Sequence, residues 1–293
     1  MEIAVFGAVN IDLRGAAEQP FRAGDSIPGR VSASIGGVGW NIARGAASLG
    51  ADTAFYSVLG ADEYTPRIRQ SAAAFGVSID GCELCDGPNG RYLYITDEHG
   101  DTVAAVNDMA MVGRFDTAAA RRFMAASAEA RVLVTEANLP AEALRAIAEG
   151  AGGRPLVVDC VSAAKCAKIK EILPHIHTLK ANRAEAEELT GGSSPAECAW
   201  LLCEAGVKRA VISLGAEGLV CADGERVLRL PAEPVNVVNT NGAGDCLTAA
   251  LAVGPLRGFT AEQTARLGVR AAALAAQSPE AAVPDLAARL GLF

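Results

Sequence analysis

The residues of this chain best suited to chemistry are Asn239-Thr240-Asn241-Gly242-Ala243-Gly244-Asp245. They follow an apolar-rich run, Val235 to Val238, that reads as a strand, and they precede a stretch with helical character, Asp245 to Val253. A strand, a tight glycine turn and a helix N-terminus together make an anion cradle. The helix start offers unpaired N–H groups and the positive end of its dipole, and glycine lets the backbone close around a ligand. Asp245 falls in the first helical turn, beside that cradle. A carboxylate next to an anion hole is what phosphoryl transfer to a hydroxyl requires: Asp245 takes the proton, and the amides of Gly242, Ala243 and Gly244 meet the charge on the moving group. The turn read alone is more often an ordinary glycine-rich connection with Asp as a helix cap; the rest of the chain is what favours the chemical reading.

The elements that would hold this turn alternate. Ile3 to Val9 reads as a buried strand presenting Asn10 and Asp12 at its end, where open α/β sheets bind ligands. Asp12 can accept hydrogen bonds from substrate hydroxyls, or serve as a turn residue. Ile35 to Gly39 is a second glycine-rich loop, opening a small-residue helix that stops at Gly50. It fails the dinucleotide fingerprint and lacks the lysine of a P-loop. Its glycines, Gly36 and Gly37 among them, suit close passage of a flat ligand, and Asn41 offers a bidentate amide. Thr53 to Leu59 reads as a strand and Asp62 to Phe75 as a helix. Arg91–Thr96 and Thr102–Val106 form a hairpin that breaks the alternation and joins segments near 12–35 in a small β lid; Asn107 at its end is placed to reach a base or sugar.

From residue 131 the alternation is regular. Strands are expected at Val132–Thr135, Leu156–Asp159, His175–Leu179, Ala210–Leu214 and Val235–Val238. Helices are expected at Ala141–Glu149, Ala163–Ile172, Arg183–Leu189, Pro195–Ala205, Asp245–Val253 and Ala261–Gln277, with a hairpin around Asp223-Gly224. That pattern is a parallel sheet covered on both faces. Asn182 and Glu185 share a helix face and suit either a hydrated Mg²⁺ or a capping box. Ser213 and Gly215 end another strand, where they could meet a nucleotide.

Bulk properties exclude several classes. The 293 residues carry a net charge of −8, which argues against a nucleic-acid surface but not against one small anionic ligand. No apolar run reaches membrane-spanning length and no secretory signal is read, so a cytoplasmic protein is expected. The eight cysteines are scattered and read as reduced thiols; Cys82 and Cys85 have a Cys-x-x-Cys spacing without a second pair. His99, His175 and His177 lack metal spacing and read as structural.

Taken together, Gly36 to Asn41, Asn182 to Glu185, Ser213 to Gly215 and Asn239 to Asp245 resemble, in the right order, the signatures of the ribokinase-like (PfkB) sugar and nucleoside kinases. The resemblance covers nearly the whole chain. It implies a ribokinase-like αβα sandwich over residues 1–293, with a mostly parallel central sheet and β-lid segments near 12–35 and 90–107. It implies transfer of the ATP γ-phosphoryl group to a primary hydroxyl, with Asp245 as base and Gly242, Ala243 and Gly244 as anion hole. Asn10, Asp12, Gly36, Gly37 and Asn41 would face the sugar, Asn107 the base, and Lys165 the phosphate charge. Asn182, Ser213, Gly215, Asn241, Gly242, Gly244 and Gln277 would touch ATP, and Glu185 would serve Mg²⁺. Many members also bind K⁺ through backbone carbonyls near the turn; here Asn239 stands where the family often has a carboxylate. Ala181 replaces a common proline.

Residues 36–43, 105–109, 158–166 and 176–187 are similar to the pattern of members that act on pseudouridine, which implies that nucleoside as acceptor. Ribose, fructose and purine nucleosides are the alternatives within the family. A non-catalytic nucleoside-binding protein has no need of Asp245, and a nicotinamide dehydrogenase would need the absent fingerprint. The edge strands of an exposed lid would let two copies pair as a homodimer.

Overall fold

The computed structural model describes residues 1–292. Its strands are β1 Ile3–Phe6, β2 Asn10–Ala17, β3 Gly29–Gly36, β4 Thr53–Tyr56, β5 Val58–Gly60, β6 Glu83–Cys85, β7 Gly90–Thr96, β8 Thr102–Asp108, β9 Val132–Glu136, β10 Leu156–Asp159, β11 Thr178–Asn182, β12 Arg209–Ser213, β13 Leu219–Ala222 and β14 Val227–Leu230. Its helices are α1 Val38–Ser48, α2 Thr65–Phe75, α3 Thr117–Ala126, α4 Ala141–Glu149, α5 Ala163–Cys166, α6 Arg183–Thr190, α7 Pro195–Glu204, α8 Ala243–Leu256, α9 Ala261–Ala276 and α10 Leu286–Leu290.

An eight-stranded sheet runs β14-β13-β12-β11-β10-β9-β1-β4. It is parallel from β4 to β12, and β13 and β14 are antiparallel. Its central strands are apolar on both faces because helices cover both. Alternation along β1 divides its side chains: Ala4 and Phe6 join one core with Phe115, Phe123 and Leu133, while Ile3 and Val5 join the other with Trp40, Phe55 and α8. This is the αβα sandwich expected.

The small sheet has the order β3-β2-β7-β8. Its β2 continues β1 across only three residues, Gly7 to Val9. The small sheet is therefore tethered directly to the carboxyl end of a central strand. The pleat puts Asp12 beside Ser34 on β3 and Tyr92 on β7, and Arg14 beside Tyr94.

Several expectations need correction. Val235 to Val238 is not a strand. Pro231 and Pro234 lack the N–H groups a ladder needs, and Val237 and Val238 are 61% and 63% exposed; the segment is held by Val238 N–H donating to Ala276 O. Thr53 to Leu59 breaks at Ser57, and β5 pairs instead with the unexpected β6. The stretch 163–172 divides into α5 and a 3₁₀ segment, Ala167–His175, so His175 precedes β11. Helices α3 and α10 were not anticipated; runs of alanine blur the apolar periodicity of α3.

Two helices set the site. In α1 and α8, Gly45 lies so close to Ala249 that a Cβ built on Gly45 would stand 2.9 Å from the Ala249 Cβ. One turn earlier on each helix lie Asn41 and Asp245, which this approach brings into contact. Gly45→Val should force the helices apart and destabilise the fold by about 2 kcal/mol, read by urea unfolding; an unchanged midpoint would mean the helices close without needing the missing side chain.

Candidate active site

The turn ahead of α8 is built by specific bonds. Asn239 Oδ1 accepts from Asn241 N–H at 3.0 Å, and its Nδ2 donates to Pro279 O at 3.1 Å. Gly242 then takes φ 83°, and a Cβ there would lie 2.0 Å from Ala281 O, so only glycine fits. The helix starts at Ala243, with Asp245 in its first turn.

Asp245 Oδ2 accepts from Asn41 Nδ2 at 2.7 Å. Burial pushes the Asp245 carboxyl up to about 7, and the neighbouring Asp159 carboxylate adds to this. The Asn41 hydrogen bond and the Lys180 and Arg44 cations oppose it. An acid poised near neutrality is suited to taking a proton at neutral pH.

Beneath the turn lies a buried ion pair. Lys180 Nζ stands 3.3 Å from Asp159 Oδ2, both side chains almost wholly enclosed. Thr248 Oγ1, one turn along α8, donates to the same Asp159 oxygen at 2.6 Å, and Val161 N–H donates to Oδ1 at 2.9 Å. Burial works against the Lys180 ammonium, but Asp159, Glu185 and Asp245 outweigh it and raise its pKa. Lys180 also packs under Gly244, where a Cβ would sit 3.1 Å from Nζ. Val161 holds a φ of 64°, a strained value for a β-branched residue and one found preferentially at functional sites.

A third buried carboxylate fixes the start of the small sheet. Glu136 accepts from Ala8 N–H at 2.7 Å and Asn138 N–H at 2.6 Å. Burial, with help from Asp159, pushes it up to about 7 against those two bonds. Asn138 in turn accepts from Lys165 Nζ at 2.6 Å.

These groups surround an open cavity of about 1420 Å³. It brings together Asn10, Asp12, Gly36, Gly37, Asn41, Lys165, Asn241, Gly242 and Asp245. Asn10 Nδ2 donates to Asp12 Oδ1 at 2.6 Å, while burial raises the Asp12 pKa. Asn107 lies outside it and lines a neighbouring cavity of about 220 Å³ that shares Met109, Asn138 and Lys165. The cavity wall does not include Asn182, Ser213, Gly215 or Gln277. Asn182 and Ser213 are register partners at the ends of β11 and β12, Gly215 opens the next turn, and Gln277 ends α9.

Asn182 and Glu185 form a reciprocal capping box, with Glu185 Oε2 accepting from Asn182 N–H and Asn182 Oδ1 from Glu185 N–H. Among the described residues no group of three acidic, histidine or cysteine side chains is assembled for a metal. The buried Glu185 carboxylate fits a cation that arrives with phosphates and keeps its waters, not one caged by protein. All eight cysteines, Cys82 and Cys85 included, are free thiols.

Residues the sequence reading passed over are Arg44, Glu136, Asn138, Asp159, Lys180, Tyr92 and Tyr94. The two tyrosines carried a signal: they alternate on β7, and both line the cavity with rings stacked 5.3 Å apart. Polar Glu136, Asp159 and Lys180 at or near the ends of apolar strands carried another.

Residues 1–288 match the model of the pfkB family carbohydrate kinase. The chain belongs to that family. It is 33% identical to the pseudouridine kinase of Escherichia coli (strain K12), over 97% of this chain and 93% of the relative. The ribokinase of Thermotoga maritima superposes with a TM-score of 0.89 at 21% identity, covering 100% of this chain and 99% of that one. The ribokinase of Arabidopsis thaliana, solved with ribose and ATP, gives 0.82 at 24%, covering 99% and 98%. Both show the fold. A PfkB kinase takes ATP and a small hydroxylated acceptor, and the cavity and turn described above lie at the carboxyl ends of the strands, where such a sheet binds ligands.

Removing one partner of the buried pair should be severe. Lys180→Met leaves Asp159 uncompensated and should destabilise by about 4 kcal/mol in urea unfolding; a loss near zero would mean that the pair contributes nothing to the fold.

Proposed function

We propose that this PfkB kinase transfers the γ-phosphoryl group of ATP to the 5′-hydroxyl of pseudouridine, giving pseudouridine 5′-phosphate and ADP. The observation that carries the choice of a nucleoside over a bare sugar is the stacked pair Tyr92 and Tyr94. They lie on the small sheet, on the strand beside Asp12, and their rings offer an aromatic platform to a flat base. The likeness to a pseudouridine kinase supports the same choice.

In this reading Asp12 and Asn10 hold the ribose hydroxyls, with Gly36 and Gly37 letting the sugar approach the backbone. Asp245 takes the proton of the 5′-hydroxyl as the O–P bond forms. The amides at the start of α8 stabilise the phosphoryl oxygens while ADP leaves. Lys165 faces the cavity as a further cation, and Asn107 contacts the base from the side. Asn182, Ser213, Gly215 and Gln277 hold the nucleotide, and Glu185 with Asn182 would hold Mg²⁺, which when bound shields phosphate charge. The small sheet acts as a lid that excludes water, the competing acceptor. With its thiols free and ATP as donor, the kinase works in the cytoplasm.

ADP release with pseudouridine, uridine, ribose, fructose and a purine nucleoside tests the acceptor. Preference for pseudouridine supports the proposal; comparable turnover of ribose or fructose overturns the acceptor and leaves the family. Asp245→Asn should lower kcat by roughly two to four decades, and wild-type kcat/KM should fall as pH drops below about 7. Full activity in the variant would remove Asp245 as base. Tyr92→Ala and Tyr94→Ala, made separately, should each raise KM for the nucleoside about tenfold with kcat little changed. Unaltered KM in both would place the base elsewhere.

A further inference from the structure

We propose that Arg44 is a positioning residue for Asp245, acting by fixing which end of the Asn41 amide faces the carboxylate. This rests on Asp245 being the base. Asn41 bridges the two: its Oδ1 accepts from Arg44 Nη2 at 2.5 Å, and its Nδ2 donates to Asp245 Oδ2 at 2.7 Å. A guanidinium has donors and no acceptor, whereas an ionised carboxylate has acceptors and no donor. Turning the amide over would set oxygen against carboxylate and NH₂ against guanidinium, losing both bonds at once. Arg44 therefore dictates that Asn41 gives Asp245 a hydrogen.

Arg44 is itself held in place. It is 7% exposed, and its guanidinium lies 5.8 Å from the Trp40 ring and 5.3 Å from the Phe75 ring. Its Nη2 also donates to Ile35 O at 3.3 Å, in the lid strand β3. Among the described residues its Nε has no partner, so the bonds to Asn41 and Ile35 are what offset the cost of burying it. The clamp thus spans the lid, α1 and α8.

The charged and titratable groups around Asp245 are Arg44 from α1, Asp159 from β10, Lys180 from β11 and Cys246 on its own helix; Glu280 and Asp12 also act on Arg44. Removing Arg44 takes away a cation and frees the amide, and both changes favour the protonated form of Asp245. A base must be unprotonated, so the acid limb of kcat/KM moves to higher pH and activity returns under alkaline conditions.

The test is the pH profile of pseudouridine phosphorylation. Arg44→Met should shift the acid limb up by about one pH unit. In an Asn41→Ala background the same change should add a clearly smaller shift, because the relay is already cut and only the loss of the cation remains. Asn41→Asp keeps the partner of Arg44 and the side-chain volume but puts an acceptor against Asp245; it should shift the limb upward even if Arg44→Met does not fold. An unmoved limb in Asn41→Asp, or in folded Arg44→Met, overturns the proposal. So does an Arg44→Met shift of undiminished size in the Asn41→Ala background, which would mean that Arg44 acts by its charge alone. Turnover retained in Asp245→Asn sinks the reading of the base itself. An inactive Asp245→Asn with an unmoved Arg44→Met limb sinks only the role of Arg44.

Discussion

The hydrogen bond from Asn41 to Asp245 joins residues 204 positions apart. Much of the site can be read as the conditions for making it. Helices α1 and α8 must approach closely, which Gly45 permits against Ala249. The turn before α8 must bend through a positive φ, which Gly242 supplies. The amide must face the right way, which Arg44 enforces. Each condition is local in sequence, but the bond exists only when the sandwich is complete. A carboxylate positioned this way is present only in the folded chain, and its place is set by rigid helices and not by a loop.

The second constraint is charge without solvent. Glu136 and Asp159 are almost fully enclosed at the ends of neighbouring strands, and the register puts them side by side. Three carboxylates, counting Asp245, share this region with two buried cations, Lys180 and Arg44. Replacing buried pairs with apolar side chains often stabilises proteins, so these charges are poorly explained by stability. They are better explained by what they do to their neighbours. Burial and then Asp159 raise Asp245, the Asn41 hydrogen bond, Lys180 and Arg44 lower it, and the balance leaves the carboxyl near 7. An isolated apolar pocket would keep the acid protonated; a fully solvated one would leave it too weak a base.

Much of the sandwich was legible because strand and helix periods differ and the strands are short apolar runs between helices. The turn at Gly242 to Asp245 was legible because its glycines and its acid are adjacent in sequence. Val235 to Val238 misled because apolar composition looks like a strand, whereas two prolines just upstream remove ladder donors and Val238 bonds to Ala276 O instead of a strand. Arg44 was invisible for another reason. On a helix of small residues it reads as a solvated cation, and only the packing of Trp40 and Phe75 around it reveals a buried one. Asn182 and Glu185 suited either a cap or a cation site by spacing, and the folded chain has them capping α6 while lying beside the register partner Ser213.

Nucleotide binding makes the buried cations more consequential. In the proposed mechanism, a phosphate chain beside the start of α8 adds negative charge next to Asp245, which by itself would drive the carboxyl further upward and silence it as a base. The chain's own answers to that field are the positive end of α8, Lys180 packed under Gly244, and Arg44 acting through Asn41. All three are already in place in the folded chain, which is the preorganisation that electrostatic stabilisation draws on. The ammonium under Gly244 is shielded from water, where Coulomb interactions persist over longer distances than at a surface. Its effect on the phosphoryl group and on Asp245 has the same sign: it favours the charged base and the charged transition state together. An arrangement in which one buried cation served only the phosphate would leave the base protonated when it is needed.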